Sequence, residues 1–388
     1  MKTNYFIRKS DTKLCHIFMA LSLCLILGSS CTSEHKRSDN TDSIDSSHTV
    51  DTMATATPEV KPSGEKPEWG KDIKPEMQAV IEKLASYKDT PIPQLVPKQA
   101  RKNHTPTDAV KDLMKENQIP MPPSKVDTMG KEIAVTGGNI HLRIYTPKNS
   151  NGPFPVIVYY HGGGFVIANL DVYDASAKGL AEQVGAVVVS VAYRLAPEHK
   201  YPTAHHDAFA AYKWVTQNAA SIKGDPKKIA VVGESAGGNL ACNVSIMARD
   251  NKITQPVHEV LIYPVANSDM NAESYQKYAN AKPLDKAMMM WFVKYYTYSP
   301  EEARAPMISL VKANLKGLPP TTIINAEIDP LESEGKLLAD KMKDAGVDVN
   351  RKLYDGVTHE FFGMAAIVPQ AKDAQAFAAD QLKKAFGM

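Results

Sequence analysis

Cysteine is scarce in this 388-residue chain, with four in all and none placed for an internal bridge. Cys15 and Cys24 lie within one apolar amino-terminal run, Cys31 closes it, and Cys242 stands alone in a predicted core helix. That spacing excludes a disulfide framework and leaves Cys242 as a buried thiol. Metal-ligand patterns are missing as well. There is no His-Glu-x-x-His and no Cys-x-x-Cys, and the trio His205, His206 and Asp207 has no second cluster at ligand spacing. No metal and no flavin or haem cofactor is expected. Charge of one sign is not in excess: Lys and Arg number 45 against 43 Asp and Glu, a formal +2. Lys2, Arg8, Lys9 and Lys13 against Asp11 place +3 of this in residues 1–30, so the remainder is about −1 (+2 less +3). Such a balance builds no face for nucleic acid. No internal repeat is evident.

What is present begins with a basic start followed by LCHIFMALSLCLILGSSC, whose small residues Gly28, Ser29 and Ser30 precede Cys31. The apolar part is short for a spanning helix and has the layout of an export signal over residues 1–30. It resembles a bacterial lipoprotein signal. That resemblance implies lipidation of Cys31, membrane association through it and an outer-membrane lipoprotein facing the periplasm or cell surface; the alternatives are a periplasmic or secreted protein and a retained anchor. Thr32 rather than aspartate after the cysteine fits the outer membrane. Residues 31–66 are rich in Ser, Thr, Asp and Pro with few large apolar groups, so they predict a disordered tether.

The pattern changes from Trp69 onward. Met77, Val80, Ile81 and Leu84, then Val110, Leu113 and Met114, fall at helical spacing, and Pro91, Pro93 and Pro97 divide the two helices. These helices, within 67–130, suit either packing ballast or part of a lid. KEIAVTGGNIHLRIYTPKN reads as two strands joined at Gly137 and Gly138. PVIVYY, AVVVSVAY, KIAVVG, VHEVLIYP and PTTIINAE then alternate with helical stretches. Continuous apolarity suits strands covered on both faces, so residues 131–388 predict an α/β fold with a mostly parallel central sheet and flanking helices.

Within that sheet one turn stands out: VVGESAGGNL sets Ser235 between Gly233 and Gly237. A G-x-S-x-G string arises by chance about one time in eight at this length. Its context is more specific, because a strand candidate precedes it and a helix candidate follows, the order that a nucleophile elbow requires. A plain N-cap serine explains at most one of the glycines. Directly after PVIVYY comes HGGGF, residues 161–165, without the lysine and hydroxyl residue of a phosphate loop. Its amides can receive the negative charge of a tetrahedral intermediate, which assigns the N–H groups of Gly163, Gly164 and Ala236 to an oxyanion hole.

A serine hydroxyl needs a base, and the base needs an orienting acid. Asp329 in NAEIDPLESEG and His359 in DGVTHEFFGM each follow a strand candidate and keep the chain order Ser, Asp, His. Glu327, Glu332 and Glu334 are rival acids, the last two in the first turn of a helix, where negative charge is favourable anyway. His205 and His206 precede a helix and His258 lies in a strand candidate. None of the three follows the acid loop.

With HGGGF, VAYRLAPEHKYP and GESAGGNL on the page, the chain resembles the hormone-sensitive-lipase-like (bacterial family IV) esterases of the α/β-hydrolase superfamily, from about Ile133 to the final helix. The resemblance implies an α/β-hydrolase fold with a helical cap, made by the two early helices and a contribution near 267–305. It makes Ser235, Asp329 and His359 the catalytic set, and YRLAPEHKYP a brace under the catalytic floor. Many relatives carry aspartate before the serine, where this chain has Glu234. Met288, Met289, Trp291, Phe292 and Tyr295 suit either an acyl pocket or cap core. The expected activity is a serine carboxylesterase, through an acyl-enzyme, on small to moderate carboxylic esters as the small-molecule partner. An amidase, lactonase or deacetylase with the same triad is the alternative, and an exported binding or scaffold lipoprotein is the non-enzyme one.

Overall fold

The structure, a computed structural model, describes residues 60–148 and 150–388. The export signal and Cys31 lie outside the described residues. Residues 60–66, the end of the segment expected to be a tether, are instead docked: Val60 is buried, and Glu82 accepts from the Ser63 N–H at 2.6 Å, the Ser63 hydroxyl at 2.8 Å and the Gly64 N–H at 3.1 Å. A single carboxylate organises a polar stretch that has little apolar surface to bury.

Eight strands form one sheet: β1 Val126–Val135, β2 Gly138–Pro147, β3 Phe154–Tyr160, β4 Val187–Ala192, β5 Gly224–Glu234, β6 Glu259–Ile262, β7 Thr321–Ile328 and β8 Val349–Thr358. Their order is β1-β2-β4-β3-β5-β6-β7-β8. The β1–β2 and β2–β4 pairs are antiparallel, and every neighbouring pair from β4 through β8 is parallel. The hairpin expected at two glycines is there, shifted by one residue. Val135 faces Gly138, so Thr136 and Gly137 make the two-residue turn, with Gly137 at φ 81°. β1 also begins inside the stretch assigned to the amino-terminal cap.

Among the described residues ten α-helices accompany the sheet: α1 Pro75–Ser86, α2 Pro97–Ala100, α3 Pro106–Glu116, α4 Asp174–Val184, α5 Thr203–Asn218, α6 Ala236–Asp250, α7 Glu273–Lys277, α8 Lys286–Tyr296, α9 Glu332–Asp344 and α10 Pro369–Phe386. All seven residues of β3 are buried, yet they serve two cores. Val156, Val158 and Tyr160 pack with Tyr212 of α5 and Leu240 of α6, while Ile157 and Tyr159 pack with Leu180 of α4 and Leu382 of α10. Successive side chains of a strand point to opposite faces, so a strand covered by helices on both sides must be apolar throughout.

The two early helices pack against one another; α1 approaches the far end of β8, and α3 the turn Phe361–Met364 that follows it. The N–H of Lys74 donates to the Gly356 carbonyl at 2.9 Å, and the Thr107 hydroxyl to the Val172 carbonyl at 2.7 Å. The Pro-rich segment between them reaches α8, where the Trp291 indole N–H donates to the Leu95 carbonyl at 2.8 Å. α3 starts with a reciprocal cap: the Asp108 N–H donates to the Thr105 side chain and Asp108 accepts from the Thr105 N–H. Thr105→Ala removes one half of that box and is expected to lower stability by about 1 kcal/mol, read as a decrease in the chemical-denaturation midpoint.

Candidate active site

The carboxyl ends of four strands of the parallel part of the sheet supply the site. β3 runs into residues 161–165, β5 ends one residue before Ser235, β7 one before Asp329 and β8 one before His359. Open α/β sheets bind and react at this edge because their loops converge there.

Ser235 holds φ 56° and ψ −118°, a backbone region that costs a residue with a Cβ of the order of 1–3 kcal/mol. Tight packing keeps it there. Its N–H donates to the Ile262 carbonyl at 2.9 Å, and its own carbonyl accepts from the N–H groups of Asn239 and Val265, both at 3.1 Å. The flanking glycines are needed for close approach. A Cβ on Gly233 would stand 2.0 Å from the Gly237 carbonyl oxygen, and one on Gly237 would stand 1.9 Å from that of Tyr160. The start of α6 is thereby pressed against the end of β3, next to the glycine loop. Ser235 precedes α6 without capping it through its side chain. Its hydroxyl is engaged elsewhere.

That partner is His359, whose Nε2 lies 2.9 Å from the Ser235 Oγ, while its Nδ1 lies 2.7 Å from Asp329 Oδ2. An ionised carboxylate only accepts, so Nδ1 carries the proton and Nε2 presents a lone pair to the serine. The other Asp329 oxygen accepts the Leu331 N–H at 2.8 Å. Burial alone would push the His359 imidazole down, but the charge and hydrogen bond of Asp329, with the charges of Glu360 and Glu234, outweigh it and hold the pKa above its ordinary value. Exposure is 5% for Ser235, 3% for His359 and 0% for Asp329, so these interactions act with little solvent screening.

The rival groups are occupied. Glu327 accepts the Gly356 N–H at 2.7 Å, Glu332 pairs with Arg351, and Glu334 accepts the Ala266 N–H at 2.8 Å. Burial raises the Glu334 carboxyl to about 8. His205 is buried between Asn239 and the Tyr296 hydroxyl, both at 2.9 Å, and burial lowers it to about 4. His258 meets the Thr322 hydroxyl at 2.9 Å, and His206 is exposed.

In the glycine loop His161 is structural. Its ring stacks on Tyr193 at 4.3 Å between centroids, and burial lowers it to about 4, so it stays neutral near pH 7. Gly163 and Gly164 take φ 98° and 58°, and the Gly163 carbonyl accepts the Val166 and Ile167 N–H groups at 3.0 and 2.9 Å. The loop thus folds on its carbonyls. No backbone acceptor among the described residues takes the N–H of Gly163 or Gly164, and Ala236 is the first residue of α6, whose N–H has no partner inside the helix. Phe292 of α8 covers Gly164: a Cβ there would come 2.2 Å from its ring. From the segment YRLAPEHKYP the Tyr193 hydroxyl donates to the His161 carbonyl at 2.8 Å and the Ala196 N–H to that of Phe165 at 2.9 Å, while Arg194 pairs with Asp207 at 2.7 Å and donates to the Thr136 carbonyl at 2.9 Å.

A serine, a histidine and an aspartate in hydrogen-bonding sequence beside free loop amides, on this sheet, invite comparison. A family model described as alpha/beta hydrolase fold matches residues 157–363, just over half of the chain. The chain belongs to the α/β-hydrolase-fold carboxylesterases related to the hormone-sensitive-lipase-like group. It is 37% identical over 276 residues to a carboxylesterase of Mycobacterium tuberculosis, spanning 69% of this chain and 86% of that one. It is 32% identical over 252 residues to an ethyl acetate hydrolase of Pseudomonas putida, spanning 64% and 79%. A hyperthermophilic esterase from the archaeon Pyrobaculum calidifontis superimposes with a TM-score of 0.74 at 36% identity, covering 81% of this chain and 98% of that structure. Membership accounts for the motifs but not for every side chain around them.

Several neighbours of the site were not legible beforehand. Arg101 donates from Nε to the Val166 carbonyl at 2.8 Å and from Nη2 to that of Ala196 at 2.7 Å, and pairs with Glu198. It ties the glycine loop to the brace. In the string KQARKN nothing marks it, because its partners are backbone carbonyls about 65 and 95 positions away. Tyr263 sits 4.5 Å from His359 between ring centroids, and Tyr173 donates to Glu360 at 3.1 Å. The adjacency of Glu234 to Ser235 and of Glu360 to His359 is the signal that the sequence offers for the two acids. A neutral His359 acting as a base predicts that kcat/KM falls as pH drops through its pKa, with a midpoint above that of an ordinary histidine. Asp329→Asn removes the larger upward influence, so its pH–rate profile should show the acid limb moved down and the plateau depressed.

Proposed function

We propose that the chain is a serine carboxylesterase in which Ser235 is the nucleophile, His359 the general base and acid, and Asp329 the orienting acid. The observation that carries this reading is the unbroken chain from the Ser235 Oγ to His359 Nε2 at 2.9 Å and from His359 Nδ1 to Asp329 Oδ2 at 2.7 Å. His359 takes the hydroxyl proton as Oγ attacks the ester carbonyl, and the imidazolium that forms is stabilised by Asp329. Negative charge moves to the former carbonyl oxygen, where the N–H groups of Gly163, Gly164 and Ala236 receive it. One such donor is worth about 3–4 kcal/mol in the transition state. His359 then returns the proton to the leaving alcohol. Water attacks the acyl-enzyme with His359 again as base, and the carboxylic acid departs from Ser235.

Small to moderate esters suit the site because α8 lays Phe292 directly on the oxyanion loop and the serine is nearly enclosed. The relatives support this class: one is named an ethyl acetate hydrolase and another a carboxylesterase. Ser235→Ala is expected to lower ester kcat at least about a thousandfold while circular dichroism and the melting midpoint stay near those of the parent. On a matched panel, esters should rank above amides and lactones in kcat/KM. Near-normal turnover by Ser235→Ala protein would refute the assignment, and an amide or lactone ranked first would replace the substrate class.

We also infer, from the amino-terminal sequence, that the enzyme is exported and held to a membrane by lipid on Cys31. In cells supplied with labelled fatty acid, the full-length chain should take up label and Cys31→Ser should not. Equal labelling of the two would remove this reading.

A further inference from the structure

The mechanism above uses one carboxylate, but two more act on the same imidazole by charge, on the residues next to Ser235 and His359 in sequence. Glu234 ends β5 and accepts hydrogen bonds from the hydroxyls of Tyr159 and Tyr263. The Tyr263 ring is the one that packs on His359. Glu360 follows His359 directly and holds φ 67°, ψ 6°, a left-handed conformation that disfavours any residue with a Cβ unless the surroundings enforce it. Its side chain turns inward: Oε1 accepts from the Tyr173 hydroxyl at 3.1 Å. Glu234, Glu360 and Tyr173 share the wall of one cleft of about 10 Å³, with Ser176 and Met364. Two acidic side chains from different strand ends, β5 and β8, are therefore gathered beside the base.

Glycine would satisfy that left-handed turn without strain. A glutamate there adds a negative charge close to the ring that must become positive when Ser235 loses its proton. We propose that Glu360 is a positioning residue for catalysis, its carboxylate acting through space on His359 to favour the imidazolium and so set the basicity of the general base. The proposal rests on the reading of His359 as that base. The groups facing His359 are Asp329 after β7, Glu234 at the end of β5, Tyr263 after β6 and Ser235 before α6, with Glu360 on its own loop. Those facing Glu360 are Tyr173, His359 and Asp329; burial holds its own carboxyl above the ordinary value, and the His359 charge and the Tyr173 hydroxyl act against that rise. Asp329 holds the Nδ1 proton by direct contact, whereas Glu360 contributes charge without a hydrogen bond to the ring, so the two are separable. Among the influences on His359, both Glu360 and Glu234 act upward, against burial, and follow Asp329 in size.

The test compares Glu360→Gln, which keeps an oxygen for the Tyr173 hydroxyl and removes only the charge, with Glu360→Gly, which also relieves the left-handed backbone. Both should move the acid limb of kcat/KM to lower pH by roughly half to one unit, the size that loss of one nearby charge produces. Glu360→Gly should do so with an unchanged or higher melting midpoint, an outcome that a merely structural glutamate would not give. The same shift should appear in the imidazole proton resonances of His359, titrated by NMR in Ser235→Ala protein with and without Glu360→Gln. An acid limb unmoved in both variants, with an unmoved NMR titration, overturns the proposal. If the parent protein hydrolyses no ester yet the NMR titration moves, the esterase reading fails while the influence of Glu360 on His359 stands.

Discussion

Everything at the site follows from how closely the start of α6 can approach the end of β3. The main chain at Gly237 leaves no room for a Cβ beside the Tyr160 carbonyl, and Gly233 leaves none beside Gly237. With that approach made, Ser235 is forced into its unusual backbone conformation, its hydroxyl clears the sheet, and the first amide of α6 comes beside the glycine loop. Without it, the serine would be an ordinary cap on an ordinary helix. Strain of about 1–3 kcal/mol at one residue is small against a core with this many buried apolar side chains, so the fold can hold it.

The remaining parts of the site are consequences of a parallel sheet. β5, β7 and β8 run in the same direction and place Ser235, Asp329 and His359 one residue beyond their ends. Residues 124 and 30 positions apart in sequence therefore meet within 3 Å. Electrostatics then differentiates chemically similar groups by what surrounds them. Asp329 and Glu334 lie five residues apart on one loop and helix, yet the first binds the base and the second ties the helix to the loop after β6, at the Ala266 N–H. His161, His205 and His258 are lowered to about 4 by burial, while His359, equally enclosed, is raised because carboxylates surround it. Burial sets the penalty for charge, and the neighbouring charges decide whether it is overcome.

The outer layers show a different economy. By their pattern α1 and α3 suit either ballast or a lid; in the fold their contacts are with each other, with β8 and with the turn after His359. The Pro-rich piece between them instead meets α8, which bears Phe292 over the oxyanion loop. Trp291 and Phe292 are both buried in the core, and Phe292 also meets the glycine loop at Gly164. Arg101 joins this piece to the loop and to the brace through three carbonyl and carboxylate partners. Such an arginine acts by reach and by the number of its donors, not by a motif.

Local pattern was enough for the strands and helices, because a buried parallel strand must be apolar along its length and a helix must repeat near every fourth residue. It was enough for Ser235, Asp329, His359 and the glycine loop too, since tight turns and strand ends restrict which residues can stand there. It failed where an effect depends on what another part of the chain brings: the turn at Thr136 and Gly137, the docking of residues 60–66 on Glu82, Arg101, and the acidic pair about His359. The string THEF says that a glutamate follows a histidine. Only the folded chain decides that this glutamate is held inward by Tyr173, beside a second carboxyl and against an imidazole, because electrostatic influence depends on distance and burial in space and not on separation along the sequence.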